Sequence, residues 1–508
     1  MSVDRLSPQP AAVENSIAVA GPTQASPPAG SNADRLNPGG TRGRDTLITC
    51  RNSQGVEIRA TPLRLSRYEA VFEVYNPYSI LQLSEVLSDF RITIGERIVY
   101  AGRAVVSKLV NASIMVICEV SLESDWLDVE ALSPLADPEW LRREFAAFLT
   151  DWSKIQTVSP AFKAAVADME TFLADLRRWL DQVELGLRSH PSHEVEKMER
   201  EVMGRLSGTV LDPINDLFSR FEELAKSIAP DHHPIHRTYA RRQLHPLVLC
   251  APFPHRTFQK PLGYAGDYEM VNMILSDPFE GASLFAKSVN YWFLMQAPAA
   301  AHRNRIEYLI QTLVREVQRV AGAGRRARIF NLGCGPAAEV QRFLETQSLS
   351  DAAEFTLVDF NEDTLAFTRH RLAELKSQTR RSTDFQFVQQ SVHQVLKQSA
   401  RGDAPAAQYD LVYCAGLFDY LSDRICQRLM QYFYQMLAPG GLLISTNVDP
   451  SNPNRHGMEY LLEWHLNYRD ESVMRTLHPT AARPDCITTK ADATGVNIYL
   501  EVRRPERD

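Results

Sequence analysis

The stretch that most constrains the fold is Ile329-Phe330-Asn331-Leu332-Gly333-Cys334-Gly335-Pro336, followed by a second apolar run, Phe355-Thr356-Leu357-Val358, that ends on Asp359. An apolar run that breaks at Gly-x-Gly and resumes as helix brings backbone N–H groups and a helix N-terminus close to a ligand, because glycine has no Cβ in the way. An acidic residue closing the next strand, about 20 residues on, is placed to accept hydrogen bonds from two ribose hydroxyls. Together they require parallel strands with helical crossovers and describe a nucleoside-cofactor site. A dinucleotide loop is also compatible with Gly-x-Gly, since its third glycine position is here Ala338, which that pattern tolerates.

The surrounding block narrows the choice. After Asn331-Leu-Gly-Cys-Gly335-Pro come Leu357-Val-Asp359, Tyr409-Asp410-Leu-Val-Tyr-Cys414 and the turn Leu437-Ala-Pro439-Gly440-Gly441 before a last hydrophobic strand. This order resembles the class I S-adenosylmethionine-dependent methyltransferases over residues 300 to 503. The resemblance implies an α/β fold, a Rossmann-like doubly wound sheet of seven strands with a reversed last strand, and S-adenosyl-L-methionine as cofactor. It implies that Asn331, Gly333, Cys334 and Gly335 approach the amino-acid moiety and sugar, that Asp359 takes the ribose, and that Phe360 and Asn361 flank adenine. Ser391, beside Val392, stands where many relatives carry an aspartate at the adenine amine. Cys414, Ala415 and Gly416 end strand four, and Phe418 and Tyr420 follow at the methyl-transfer mouth.

At 508 residues the chain exceeds one ordinary core, so further domains are expected. A net charge of −7 gives no reason to expect nucleic acid. No run reaches the ~20 apolar residues that span a bilayer, and the N-terminus lacks a hydrophobic signal core, so the expectation is a cytoplasmic protein without transmembrane segments. Seven scattered cysteines without a Cys-x-x-Cys pair argue against structural zinc, and no metal is expected.

Residues 1–44, rich in Pro, Ser, Ala, Gly and Asn, read as a disordered tail. Residues 45–130 alternate in short runs (46–50, 56–59, 70–75, 90–94, 97–100, 103–107, 113–118), as in a small antiparallel barrel. Its rhythm resembles a PilZ-type barrel. The family's cyclic di-GMP grip needs paired arginines and an Asp/Asn-x-Ser-x-x-Gly turn; Arg64 and Arg67 are present but no such turn follows, which favours a protein-contacting barrel over a nucleotide sensor. Residues 131–230 carry apolar side chains at helical spacing (Trp140, Phe145, Phe148, Leu149, Trp152; Phe172, Leu173, Leu176, Trp179, Leu180, Val183), a face for a bundle or a homodimer seam. Residues 231–300 form a helical lid and pocket segment. Its histidines 232, 233 and 236 lack a repeating ligand partner, and Pro234 is expected to break the helix that would align them. Lys260-Pro-Leu-Gly263-Tyr264-Ala-Gly266-Asp267 reads either as a turn with an N-cap or as a lid with Tyr264 and Asp267 pointing inward.

Barrel, helices, the Gly-Tyr-Ala-Gly-Asp loop and the ending Met458-Glu-Tyr-Leu-Leu-Glu-Trp464-His-Leu-Asn-Tyr468-Arg469 together resemble the bacterial quorum-signal synthases that make 3-hydroxy fatty-acid methyl esters, such as that of 3-hydroxypalmitate. The resemblance implies a fatty-acid-like substrate. A carboxylate acceptor is already ionised near neutrality, so it needs an anchor rather than a strong base. With 458–469 read as one helix, His465 and Arg469 share a face that orients the acyl head group beside Tyr264, while Trp464 and Tyr468 belong to an aromatic stripe for the chain. The same residues also fit a surface ion cluster and a packed stripe. A hydroxyl acceptor would instead require a base such as His465 or His393, and a scaffold that binds cofactor without turnover is the third reading.

Overall fold

The computed structural model describes residues 46–506, except 67, 76–80, 95–96, 113–114, 401–407 and all of 124–156 but Arg142, Phe145, Ala146 and Leu149. The tail, Arg67 and most of the first helical run therefore lie outside the described residues.

Strand alternation produces the front domain. β1 (Thr46–Arg51), β2 (Glu57–Leu65), β3 (Glu69–Tyr75), β4 (Val86–Ile94), β5 (Arg97–Ala112) and β6 (Met115–Leu122) close an antiparallel barrel in the order β1-β2-β3-β6-β5-β4. Every second residue points inward, so Ile48, Phe72, Phe90, Ile92, Tyr100, Val106 and Val120 fill the interior. The runs anticipated at 97–100 and 103–107 are one strand, β5. Gly102 joins them without a turn, its missing Cβ leaving room for the Tyr100 ring, which folds back to within 2.9 Å of where that atom would be.

Behind the barrel, α1 (Pro160–Leu187) and α2 (Ser192–Lys226) make a hairpin that packs on α3 (His233–Val248) and α6 (Leu284–Met295). Between them come α4 (Pro252–Gln259) and α5 (Tyr268–Leu275). Phe162, Leu173, Leu180, Phe221, Leu244 and Phe285 share one core, while Trp179 and Leu185 stay exposed. Pro234 does not break a helix: it starts α3, where its missing N–H costs nothing because first-turn amides have no intrahelical acceptor. His236 is held by the His232 carbonyl and the Ser159 amide, and His233 meets the Tyr460 hydroxyl at 2.6 Å.

The long α7 (Ala297–Gly322) leads into the second sheet. Its elements are β7 (Ala327–Leu332), α8 (Ala338–Thr346), β8 (Ala353–Asp359), α9 (Glu362–Thr379), β9 (Asp384–Gln389), α10 (Val392–Ala400), β10 (Tyr409–Cys414), α11 (Asp423–Met436), β11 (Leu437–Val448), α12 (Arg455–Leu461), α13 (Glu471–Thr476), β12 (Ile487–Ala491) and β13 (Asn497–Arg503). The order β12-β13-β11-β10-β7-β8-β9, with β13 antiparallel to both neighbours, is a doubly wound sheet with a reversed last strand. The strand order reverses between β7 and β10, which opens a crevice at their carboxyl ends. Pro439-Gly440-Gly441 loops out of β11, so that Tyr409 pairs with Leu437 but Leu411 already with Leu442.

One expected element is shorter than its periodicity suggested. α12 stops at Leu461, and residues 462–470 run as irregular chain. Glu463 takes a left-handed backbone (φ +50°) and turns its carboxylate onto Arg241 and Arg103, with the Lys260 ammonium on the adjacent Leu462 carbonyl. This buried ionic contact outweighs helix propensity and ends the helix. Arg103 belongs to the barrel, so the same network docks it on the rest of the chain. Further clasps are Val86 N–H to the Gly263 carbonyl (2.7 Å), Arg237 to Ser121 (2.9 Å), and Ser84 Oγ to the backbone of His465.

Candidate active site

The crevice above β7 and β10 is a cavity of about 150 Å³. One half is built by the Gly-x-Gly turn. Gly333 (φ +70°) and Gly335 (φ +52°) take left-handed backbone, and a Cβ on Gly335 would point into open space. Gly335 N–H donates to Asp359 Oδ2 and Asn361 N–H to Oδ1, both at 3.1 Å. Asp359 is therefore fixed at the cavity wall with lone pairs to spare. Burial pushes its carboxyl up from the ordinary range, while the amides of Asn361 and Gly335 pull it down. At the end of β7, the Asn331 amide donates to Glu339, which also accepts from the Tyr413 hydroxyl, and among the described residues nothing lies within hydrogen-bonding geometry of the buried Asn331 Oδ1. A buried acceptor left open beside a carboxylate is what a bound ammonium-bearing ligand would satisfy.

The other half comes from elsewhere in the chain. Tyr264 reaches in from the loop before α5; its ring packs 5.0 Å from Phe360 and its hydroxyl lies 3.3 Å from Thr364 Oγ1. Burial and the charge of Asp359 push that hydroxyl well up, so it stays protonated and keeps its donor. Tyr420 and Trp464 form a wall joined by the indole N–H donating to the Tyr420 hydroxyl at 2.9 Å. The tight Gly266 (φ +77°) is required there, since a Cβ would fall 2.8 Å from Tyr420 Oη. A second, apolar cavity of about 40 Å³ opens behind them, lined by Phe218, Trp292, Phe293, Met458 and Trp464 among others. His302, Pro298, Met458 and Trp464 border both spaces, so the two cavities are neighbours that share a wall.

Of the residues singled out in the sequence, Tyr264, Asn331, Gly333, Cys334, Gly335, Asp359, Phe360, Val392, Ala415, Gly416, Tyr420 and Trp464 line the cavity. The others do not. Asn361 spends its side chain capping α9 through Thr364 N–H (2.8 Å), and Asp267 caps α5 through Met270 N–H while pairing with Arg256. Ser391 is engaged with Gln394, leaving Gln390 and Val392 at the wall. Cys414 and Phe418 are buried behind the lining. Arg469 is a pin rather than an anchor: its guanidinium binds the carbonyls of Phe418 and Leu421, Asn447 Oδ1 and Asp423. With no helix to align them, His465 and Arg469 do not share a face. His465 is buried at the barrel junction, and Tyr468 lies under the Arg455 guanidinium, 4.4 Å above its ring.

Several wall residues escaped the sequence reading. His302 and Arg305 come from α7, and Gln54, Gln82 and Leu83 from the barrel, while Asp419 lies in the turn after β10, within the 415–420 stretch expected at the methyl-transfer mouth. Burial pushes Asp419 up to about 6, against its bond from Val448 N–H and the charges of Arg305 and Arg469. His302 is held down to about 3 by burial and by Arg305, so it is neutral at physiological pH. Among the described residues, no group of three or more His, Cys, Asp or Glu could hold a metal ion, and no helix is long and apolar enough to cross a membrane.

Residues 330–443 match the family model described as a methyltransferase domain. None of the curated proteins matches the chain. Among solved structures it is similar to magnesium protoporphyrin IX methyltransferase from Synechocystis PCC 6803 with bound S-adenosylhomocysteine, at 12% identity over 41% of this chain and 84% of that one (TM-score 0.29). It is also similar to the N-methyltransferase NodS from Bradyrhizobium japonicum WM9, at 16% identity over 49% and 100% (TM-score 0.29). A third is a possible exported protein from Bordetella parapertussis, at 16% identity over 59% and 97% (TM-score 0.37).

Proposed function

We propose that this chain, an S-adenosylmethionine-dependent methyltransferase, esterifies the carboxylate of a 3-hydroxy fatty acid, of which 3-hydroxypalmitate is one, and so makes a diffusible methyl ester of the quorum-signal type. The observation that carries the reading is the apolar side cavity that adjoins the cofactor crevice across the shared wall of Trp464 and His302. An acyl chain entering it would leave its head group in the crevice. About 40 Å³ holds roughly three water-sized groups at ~10–15 Å³ each. A short tail therefore fits as the walls stand, and a hexadecanoyl chain requires the Phe218 wall to yield.

Asp359, the close backbone of the Gly333–Gly335 turn, Asn331 and Glu339 are suited to ribose and aminoacyl groups, with Phe360, Gln390 and Val392 beside the base. When bound, S-adenosylmethionine supplies a methyl group activated by a sulfonium. The chain's own residues then have three tasks. Tyr420, Trp464 and Leu417 exclude water at the mouth, Tyr264 closes the crevice over Phe360, and the wall orients a carboxylate for in-line attack. No proton has to be removed from an ionised carboxylate. This agrees with a site whose tyrosine is held protonated.

Asp419 favours a second reading, a hydroxyl acceptor, because a carboxyl near 6 at the mouth is a serviceable general base. The deciding experiment supplies methyl-labelled cofactor with a panel of free 3-hydroxy acids and analyses the organic extract by mass spectrometry. A labelled methyl ester with a chain-length optimum supports the carboxyl reading. Absence of any ester overturns it, as would a rate that collapses by orders of magnitude in Asp419→Asn and follows Asp419 ionisation near pH 6.

A further inference from the structure

Among the described residues, the buried cation of the crevice wall, Arg305, has no directly bonded protein partner. Arg305 is 9% exposed and, among the described residues, its guanidinium makes no hydrogen bond or ion pair within 4.0 Å. Asp419 and Glu339 feel its charge only through space. A buried guanidinium with no directly hydrogen-bonded partner keeps its donors open, so such a group is suited to an anion that arrives to meet it. The chain also makes room for it: a Cβ on Gly416 would lie 3.0 Å from Arg305 Nη1, so the residue following Ala415 at the transfer mouth has none.

One turn earlier on α7 stands His302. Its Nδ1 donates to the Pro298 carbonyl at 3.2 Å, which fixes the tautomer and leaves Nε2 as a lone-pair acceptor. Burial and the neighbouring arginine keep the ring neutral. Residues three apart on a helix present side chains about 5–6 Å from each other. The arginine faces the transfer mouth at Gly416, and the histidine stands at the border of the apolar side cavity.

We propose that Arg305 and His302 are the acceptor's recognition pair: the guanidinium holds the carboxylate, and His302 Nε2 accepts a hydrogen bond from the 3-hydroxyl as the tail enters the side cavity. This deepens the carboxyl-methyltransferase reading and rests on it. The pair explains how a site of this kind selects a hydroxylated acid: a plain fatty acid would leave the buried imidazole lone pair without a donor.

The test is binding, independent of turnover. Full-length protein loaded with S-adenosylhomocysteine is titrated calorimetrically with 3-hydroxydecanoate and with decanoate. Wild type is expected to bind both, the hydroxy acid more tightly. Arg305→Met should weaken both acids roughly 10- to 100-fold and leave the S-adenosylhomocysteine affinity within about 2-fold. Arg305→Lys, which keeps the charge, should recover part of the loss. His302→Leu should remove the preference for the hydroxylated acid and His302→Asn restore some of it. Retained S-adenosylhomocysteine binding shows that each variant is folded, and the paired conservative variants cover one that is not. The proposal is overturned if wild type binds neither acid, if Arg305→Met weakens cofactor product instead of acid, or if His302→Leu keeps the preference. Acid binding without methyl ester formation would fail the functional reading alone.

Discussion

Asp359 holds its position through two backbone amides, one of them from Gly335, so the Gly-x-Gly turn and the proposed ribose acceptor are a single unit. Replacing it with alanine removes the acceptor and frees the loop. Asp359→Ala is expected to weaken S-adenosylhomocysteine binding by about 1–3 kcal/mol, and unchanged calorimetric affinity would refute its role. Glu463 plays the opposite part, far from the chemistry. Arg241, Arg103 and Lys260 hold its carboxyl far below the usual range despite complete burial. Glu463→Gln leaves those cations facing one another, and a stability loss of about 3–5 kcal/mol is expected in urea titration. The contribution is fully present above about 4.5, where the unfolded carboxyl ionises, and is lost progressively as pH falls from there towards the far lower range of the folded carboxyl. Asp359 was legible in the sequence because its chemistry is local: a strand end at a fixed distance from a glycine turn. Glu463 was not, since its three partners lie on the barrel, α3 and the lid loop. Arg305 was passed over for a related reason: α7 reads as an ordinary amphipathic helix until the sheet is assembled beneath it.

Among the elements, the inner parallel strands β7, β8 and β10 were readable at their carboxyl ends, because a buried parallel strand is an apolar run that stops at a turn residue or an acid. The late helix was not. Helical spacing continues through Arg469, but the chain leaves the helix at Leu461 because the ionic contact of Glu463 decides the backbone there. The consequence reaches the substrate region, since Met458 and Trp464 line the side cavity from the two sides of that break. Its far wall is set by α2 and α12 together: a Cβ on Gly457 would sit 2.5 Å from the Phe218 ring. Phe218→Ala opens this wall. It should cost about 3–5 kcal/mol of stability and move the acceptor optimum toward longer acids. A panel of acids of increasing length assayed against the variant checks this, and an unmoved optimum would exclude the side cavity as the chain's site.

In the whole molecule the barrel is more than an appendage. Its Glu85 is buried against Ser53 N–H, Ser53 Oγ and Gln82 N–H, the two loops that carry Gln54 and Gln82 to the crevice. Burial raises this carboxyl to about 7, against the lowering effect of those hydrogen bonds. The folded state thus keeps a proton that the unfolded chain releases near 4.5, so this group's contribution to stability declines as pH rises from 4.5 to about 7. Glu85→Gln should flatten that decline by on the order of 2–3 kcal/mol, read from urea midpoints at the two ends of the window. An unchanged slope would mean that Glu85 is not the group responsible.

That Gln54, Gln82 and Leu83 stand in the crevice wall also bears on how such chains can diversify. A front domain that supplies part of the crevice wall cannot, on the proposed function, be exchanged as a neutral module. Grafting the barrel of a relative with a different acceptor onto this chain would carry over a portion of that relative's selectivity, although no residue beneath the methyl group would have changed.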